Sequence, residues 1–124
     1  MRPPDRGSVS IVVVALMAVA LVLTMGVADL ARVLTRAARA QTAADAAALA
    51  AAQELASASV GDLEPADFAS AYAERNGAVL IACSCETGGT EAVVTVTVQV
   101  GSLVLAPDDR VVTSRARAVV QIPT

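Results

Sequence analysis

The feature that most constrains this chain is an apolar run from Val9 to Ala28, which contains no charged residue. A bilayer core is crossed by about 20 helical residues at a rise of about 1.5 Å each, and the run has that length. The alternative is the core helix of a water-soluble domain, but one Phe, one Tyr and no Trp leave little to enclose it. We therefore predict a transmembrane helix over residues 9–28.

Composition and charge narrow the functional classes. The chain has 124 residues and a formal net charge of -3, and all 9 of its basic residues are Arg. No face can gather enough positive charge to neutralise several phosphates, so we exclude a nucleic-acid-binding protein. Because His is absent, the commonest general base and metal ligand is missing. We predict no enzyme activity, no metal site and no cofactor.

The residues ahead of the run, MRPPDRGS, are predicted to form a cytoplasmic leader over residues 1–8. Three interpretations fit it. A secretory signal peptide would be cut before Asp29, although its apolar core is ordinarily only ~7–15 residues long. A plain anchor would stay uncleaved, and a prepilin-type leader would be cut between Gly7 and Ser8, ahead of a retained helix. We favour the last and predict Gly7 and Ser8 as the processing site.

The segments on either side of the run bear on topology. Arg residues near the run are slightly more numerous on its C-terminal side, which argues weakly against a cytoplasmic N-terminus. A short leader and a strand-rich C-terminal part with 2 Cys favour the opposite arrangement. We predict a single-pass cell-membrane protein with its N-terminus in the cytoplasm and its C-terminal domain outside the cytoplasm.

An Ala-rich segment follows the run without a Gly or Pro, and it predicts that the helix continues over residues 29–58. One interpretation is a helical stalk that lifts a domain off the membrane. The other is a surface on which identical or related helices pack closely, since small side chains let backbones approach each other. Such a surface would make the chain a homo-oligomer or a subunit of a bundle. Its predicted packing residues are Ala43, Ala44, Ala47, Ala48 and Ala51.

The C-terminal part, residues 59–124, is predicted to be a small α+β domain after a break at Ser57–Asp62. A short helix is expected over Leu63–Asn76, with Glu64 as its cap. Phe68 and Tyr72 lie four residues apart and are expected to anchor the core of the domain.

Three alternating or apolar stretches then predict an antiparallel meander with one face covered by helix. The expected strands are Ala78–Cys85, Glu91–Val100 and Arg110–Ile122.

Cys83 and Cys85 are the only side chains whose possible chemistry we consider further. Strand residues two apart have Cα atoms ~6.5 to 7 Å apart, at the outer limit for a disulfide, so a bridge would need a kinked backbone at Ser84. Two thiolates do not complete a structural zinc site. Three alternatives stay open: structural thiols, a local or intermolecular disulfide, and a reactive site.

Several residues carry a resemblance to a known family. The Arg-Gly-Ser ahead of a Val-rich span, the polar Asp29 that follows it and above all Ala38–Ala52 (ARAQTAADAAALAAA) resemble the TadE/TadG-like pseudopilins. These belong to the tight-adherence, or Flp, branch of type IV pilus systems. The short TadE-like subgroup is similar in its later features, which are represented here by Asn76-Gly77-Ala78, Cys83 or Cys85, Val93–Val100 and Arg115–Val120.

The resemblance implies a membrane-anchored minor pilin or pseudopilin that is a structural or accessory component of a tight-adherence pilus or a related secretion system. It implies membrane lipid, other pilin-like subunits and assembly proteins as partners. Prepilins usually carry Glu five residues after the cleavage point, whereas Val12 stands there in this chain. That departure favours an accessory role over the filament core. The alternative function is a secreted or membrane-tethered small binding domain with a cleaved signal peptide.

Overall fold

The computed structural model describes residues 6–57 and 63–121, which form two helices and one three-stranded sheet. The elements are α1 (Arg6–Ala56), α2 (Pro65–Arg75), β1 (Val79–Ser84), β2 (Glu91–Gly101) and β3 (Arg110–Val119). The predicted α+β class is confirmed, with a long apolar and then Ala-rich helix followed by a short helix and a small antiparallel sheet.

Helix α1 is uninterrupted for 51 residues. At about 1.5 Å per residue it is about 75 Å long, more than twice the thickness of a bilayer core. It begins at Arg6 and ends at Ala56, so Gly7 and Ser8 lie in its first turns. Residues 1–5 of the predicted leader and residues 58–62 of the predicted break lie outside the described residues.

Helix α2 lies within the predicted range Leu63–Asn76, and its cap is the predicted one. Glu64 is its N-cap, and the Glu64 N–H donates to the Asp67 carboxylate at 3.3 Å, which satisfies one backbone donor at the start of the helix. The helix ends at Arg75 with Asn76 as its C-cap, and Gly77 follows with φ +73°, a left-handed conformation that glycine adopts without a steric cost.

The sheet is a meander in the order β1-β2-β3, with both pairs antiparallel. Along β2 every second residue from Ala92 to Val98 is buried, as the alternation predicts. Strands β2 and β3 lie on α1, whereas β1 lies on α2. The sheet therefore covers one side of α1 beyond the apolar run.

The core is built from small side chains. Val94 and Val96 are its largest fully buried residues, and Ala from both helices and the sheet supplies most of the rest. Ala has no side-chain conformational freedom to lose on burial, so an Ala-rich helix packs closely on a sheet without a loss of side-chain entropy. One continuous core joins the second half of α1 to the C-terminal domain.

The prediction that Phe68 and Tyr72 anchor this core is wrong. Phe68 is only half-buried, and Tyr72 is 39% exposed. Both line a groove of about 310 Å³ between α1 and α2, where the Arg75 guanidinium lies 5.0 Å from the centre of the Tyr72 ring. The core excludes these rings because Ala69 and Ala73, on the neighbouring side of α2, already bring that helix into close contact.

Candidate functional site

The first half of α1 has the character of a membrane span. Residues 7–25 are all exposed in the isolated chain although most of them are apolar. Within the described residues, α1 is the one helix that is long and apolar enough to cross a membrane. Exposed Val and Leu side chains on every side of a helix are stable in lipid and not in water. The helix is therefore consistent with single-pass membrane anchoring.

At the end of this run, Asp29 binds the loop that connects β2 to β3. The backbone N–H groups of Val104 and Leu105 donate to its two carboxylate oxygens at 3.0 Å and 2.8 Å. Asp29 is only 7% exposed, and it is the one buried charged residue in the part of the chain that the structure describes. The two donors satisfy the carboxylate and fix the loop beside α1.

The hydrogen bonds from Leu105 and then Val104 lower the pKa of Asp29 below its ordinary value of 3.8. The nearby charge of Arg32 acts in the same direction, while burial opposes it. A carboxylate held by two backbone donors favours its charged form, so Asp29 stays ionised at neutral pH.

The loop residue Leu105 also lies beside the apolar run itself. Its Cδ1 atom lies 3.7 Å from the position that a Cβ on Gly26 would occupy. Val104 and Leu105 are each 55% exposed, and Leu103 is half-buried. We call Gly26, Asp29 and Leu103–Leu105 the helix–loop junction. It joins the end of the apolar run to the tip of the sheet.

The Ala surface that was predicted to receive neighbouring helices is occupied within the chain. Ala43, Ala44, Ala47 and Ala51 are 0% exposed and Ala48 is 1% exposed. They lie in the core with β2 and α2. The prediction of a homo-oligomer through these residues is therefore corrected: this face packs on the chain's own domain, because the sheet returns along α1 and covers it.

The sides of α1 that face away from the sheet stay exposed. Leu30 and Leu34, 57% and 60% exposed, lie one helical turn apart just beyond the run. Arg32, Arg36 and Arg39 line a shallow depression of about 310 Å³. Among the residues that the structure describes, none of these guanidinium groups forms an ion pair. These surfaces remain open to other molecules.

Cys83 and Cys85 form a disulfide at the end of β1, with their Cα atoms 5.4 Å apart. This separation is within the normal range for a bridge and shorter than that of a regular strand, so the backbone bends locally, as the sequence argument required. The bridge lies near Val93 and Val94 of β2, at the end of the sheet that is remote from the junction.

No cluster of three or more His, Cys, Asp or Glu side chains that could hold a metal ion occurs in residues 6–57 and 63–121. Gly7 and Ser8 are exposed, and Val12 is 55% exposed on the span. Processing at Gly7 and Ser8 stays a prediction.

Sequence reasoning missed the role of Asp29 and the helix–loop junction. Asp29 marked only the end of the apolar run, and no role was assigned to the residues between the predicted strands Glu91–Val100 and Arg110–Ile122. The available signal for this junction was an acid next to the apolar run, together with a connection between strands that contains Leu-Val-Leu. The pairing joins positions 76 residues apart, which no local pattern reports.

Comparison with known proteins bears on α1 alone. Residues 7–54 match the family model described as Tad, putative Flp pilus-assembly TadE/G-like. The predicted resemblance to the TadE/TadG-like family is confirmed over this segment, and the match supports a pilus-assembly component. The resemblance of residues 76–120 to the short TadE-like subgroup stays a prediction. No curated protein and no solved structure matches the chain.

Proposed function

We propose that this chain, whose helix α1 matches the TadE/G-like Flp pilus-assembly family over residues 7–54, is a membrane-anchored minor pilin or pseudopilin. Its role is structural or accessory, in a tight-adherence pilus or a related secretion system. The observation that carries the proposal is that the family match falls on the helix whose apolar part is exposed throughout residues 7–25. A helix of this kind holds a small domain at the membrane, where it meets the other subunits.

The orientation proposed is a cytoplasmic N-terminus and an extracytoplasmic C-terminal domain. The disulfide between Cys83 and Cys85 supports it, because disulfides persist in oxidising compartments and are rare in the cytoplasm. Val12 supports an accessory role, because the prepilin carboxylate that would pair with a neighbouring subunit's amine is missing there.

We further propose that partner subunits dock on the open side of α1. The Ala face is occupied by the sheet, whereas Leu30 and Leu34 extend the apolar surface of the span beyond the membrane. Leu30→Ser/Leu34→Ser is expected to reduce co-purification of other pilus-assembly proteins from native membranes. Val111→Ser, which removes an equally exposed apolar side chain from β3, is the matched control. Equal recovery of partners with both variants would contradict docking on this side of α1.

The proposed function is tested by isolating the native protein from the membrane fraction and determining its N-terminal residue and its intact mass. A start at Ser8 is expected for prepilin-type processing, and a start at Met1 or Arg2 would mean an uncleaved anchor. A start at Asp29 would replace the proposal with the alternative, a small domain released by signal peptidase. Release at that point would also remove Gly26, beside which Leu105 lies.

A further inference from the structure

We propose that the β2–β3 loop is a second membrane contact, in which Leu103, Val104 and Leu105 enter the lipid interface beside the outer end of α1. The inference rests on the proposed membrane anchoring of α1 and adds a contact that anchoring by a single helix does not require. Its partner is the lipid bilayer, at the boundary between headgroups and acyl chains.

The position of the loop along α1 supports this contact. Asp29 is the first residue after the apolar run, and its carboxylate holds the backbone of Val104 and Leu105 at that level. Leu105 lies beside Gly26, which is two residues, or about 3 Å, inside the end of the run. If residues 9–28 fill the hydrocarbon core, the Leu105 side chain lies at its edge.

The direction of the sheet supports the same placement. Further along β3, the Ser114 hydroxyl donates to Gln41 Oε1 at 2.6 Å, so Ser114 lies level with Gln41 on α1. The sheet therefore runs alongside the helix from Gln41 down to Asp29. At its opposite end, Glu91 pairs with Val119, which is the end of the sheet farthest from the run.

The chemistry of the loop fits an interface. Val104 and Leu105 are more than half exposed although they are apolar, and their backbone N–H groups are already satisfied by Asp29. Backbone that enters a membrane must have its polar groups bonded within the protein, and these two donors meet that condition. The acids Asp108 and Asp109 come after Pro107 and are exposed, so they would face the water.

The test uses the absence of Trp from the chain, which makes any introduced Trp the only one. The full chain is reconstituted into phosphatidylcholine vesicles with or without bromine on the acyl chains, placed both near the headgroup and near the chain ends, and quenching of Trp emission is compared. Four single variants are made. Leu105→Trp and Val104→Trp report on the loop, Leu16→Trp reports on the span, and Val119→Trp is the control at the far end of the sheet.

We expect the two loop variants to show a blue-shifted emission and to lose most of it to bromine, as Leu16→Trp does, while Val119→Trp is not quenched. Loop variants that are as little quenched as Val119→Trp would overturn the inference. A blue shift without quenching would mean that protein covers the loop, and it would overturn the inference equally. Failure of Leu16→Trp to be quenched would instead contradict membrane anchoring, so the two failures are distinguishable.

Circular dichroism shows whether each variant retains the helix and sheet content of the unsubstituted chain. If Leu105→Trp does not fold, Val104→Trp decides the result, because the Val104 side chain is exposed and only its backbone binds Asp29.

Discussion

The carboxylate of Asp29 accepts a hydrogen bond of 2.8 Å from the backbone N–H of Leu105, and this bond joins helix α1 to the loop between β2 and β3. Asp29 belongs to the helix that contains the apolar run, whereas Leu105 belongs to the loop at the tip of the sheet. A bond between them fixes the position of the sheet along the axis of α1, relative to the apolar run. Four predictions test this arrangement and the core above it.

Asp29→Asn is expected to loosen the β2–β3 loop. The amide has only one oxygen acceptor and no charge, so one of the two N–H groups loses its partner and the other loses a charge-assisted bond. Amide hydrogen exchange at Val104 and Leu105 is expected to accelerate. Asp108→Asn, a substitution of an exposed acid in the same loop, is the control and should leave both amides as slow as in the unsubstituted chain.

The lowered pKa of Asp29 makes the stability of the fold depend on pH. Because its pKa in the folded state is lower than its ordinary value of 3.8, Asp29 stabilises the fold at pH values above 3.8. That stabilisation is lost as the pH falls through the lower, folded-state pKa. The free energy of unfolding is measured by urea unfolding in detergent at pH 7 and at pH 3. We expect it to decrease more from pH 7 to pH 3 for the unsubstituted chain than for Asp29→Asn. Equal decreases would contradict this prediction.

Ala47→Leu is expected to destabilise the isolated chain. Ala47 is 0% exposed in the core between helix and sheet, and a larger side chain there costs about 1–3 kcal/mol of unfolding free energy through overpacking. Ala38→Leu, on the exposed side of the same helix, should change stability little, since Leu and Ala have similar helix propensity. Denaturant unfolding in detergent measures both. Equal stability of the two variants would mean that the Ala face is free, as the interpretation of a helix-packing surface requires.

Cys83→Ser/Cys85→Ser is expected to fold with a modest loss of stability. The bridge joins residues only 2 positions apart, and a loop that short constrains the unfolded chain little, so the expected cost is about 1–2 kcal/mol. In the unsubstituted protein, alkylation should add mass at these positions only after reduction. Alkylation of both thiols without reductant would show that the native cysteines are reduced.

Much of the fold follows from local patterns. The uncharged run Val9–Ala28 and the Ala-rich segment after it predicted a long helix, and no Gly or Pro after Gly26 interrupts that helix before Ala56. The alternation along β2 predicted the buried side of the sheet. The ends of α2 were predictable because Glu64 and Gly77 act through bonds and conformations within a few residues.

The errors concern which surfaces meet. Phe68 and Tyr72 were assigned to the core because large rings usually dominate burial, but Ala–Ala and Ala–Val contacts form this core and leave the rings at a groove. The Ala face was expected to bind other subunits because its pattern states only that something packs closely there. The pattern does not specify whether that partner is another chain or the same one.

The sequence by itself therefore determined the elements, the apolar run and the likeness of α1 to the TadE/G-like family, because periodicity and composition act over one helix or strand at a time. Only the tertiary structure decided that the sheet returns along α1, buries the Ala face and places Leu105 beside Gly26. Those relationships depend on residues far apart in the chain. Their geometry is fixed by how the sheet packs on the helix and by the single carboxylate of Asp29 at its lower end.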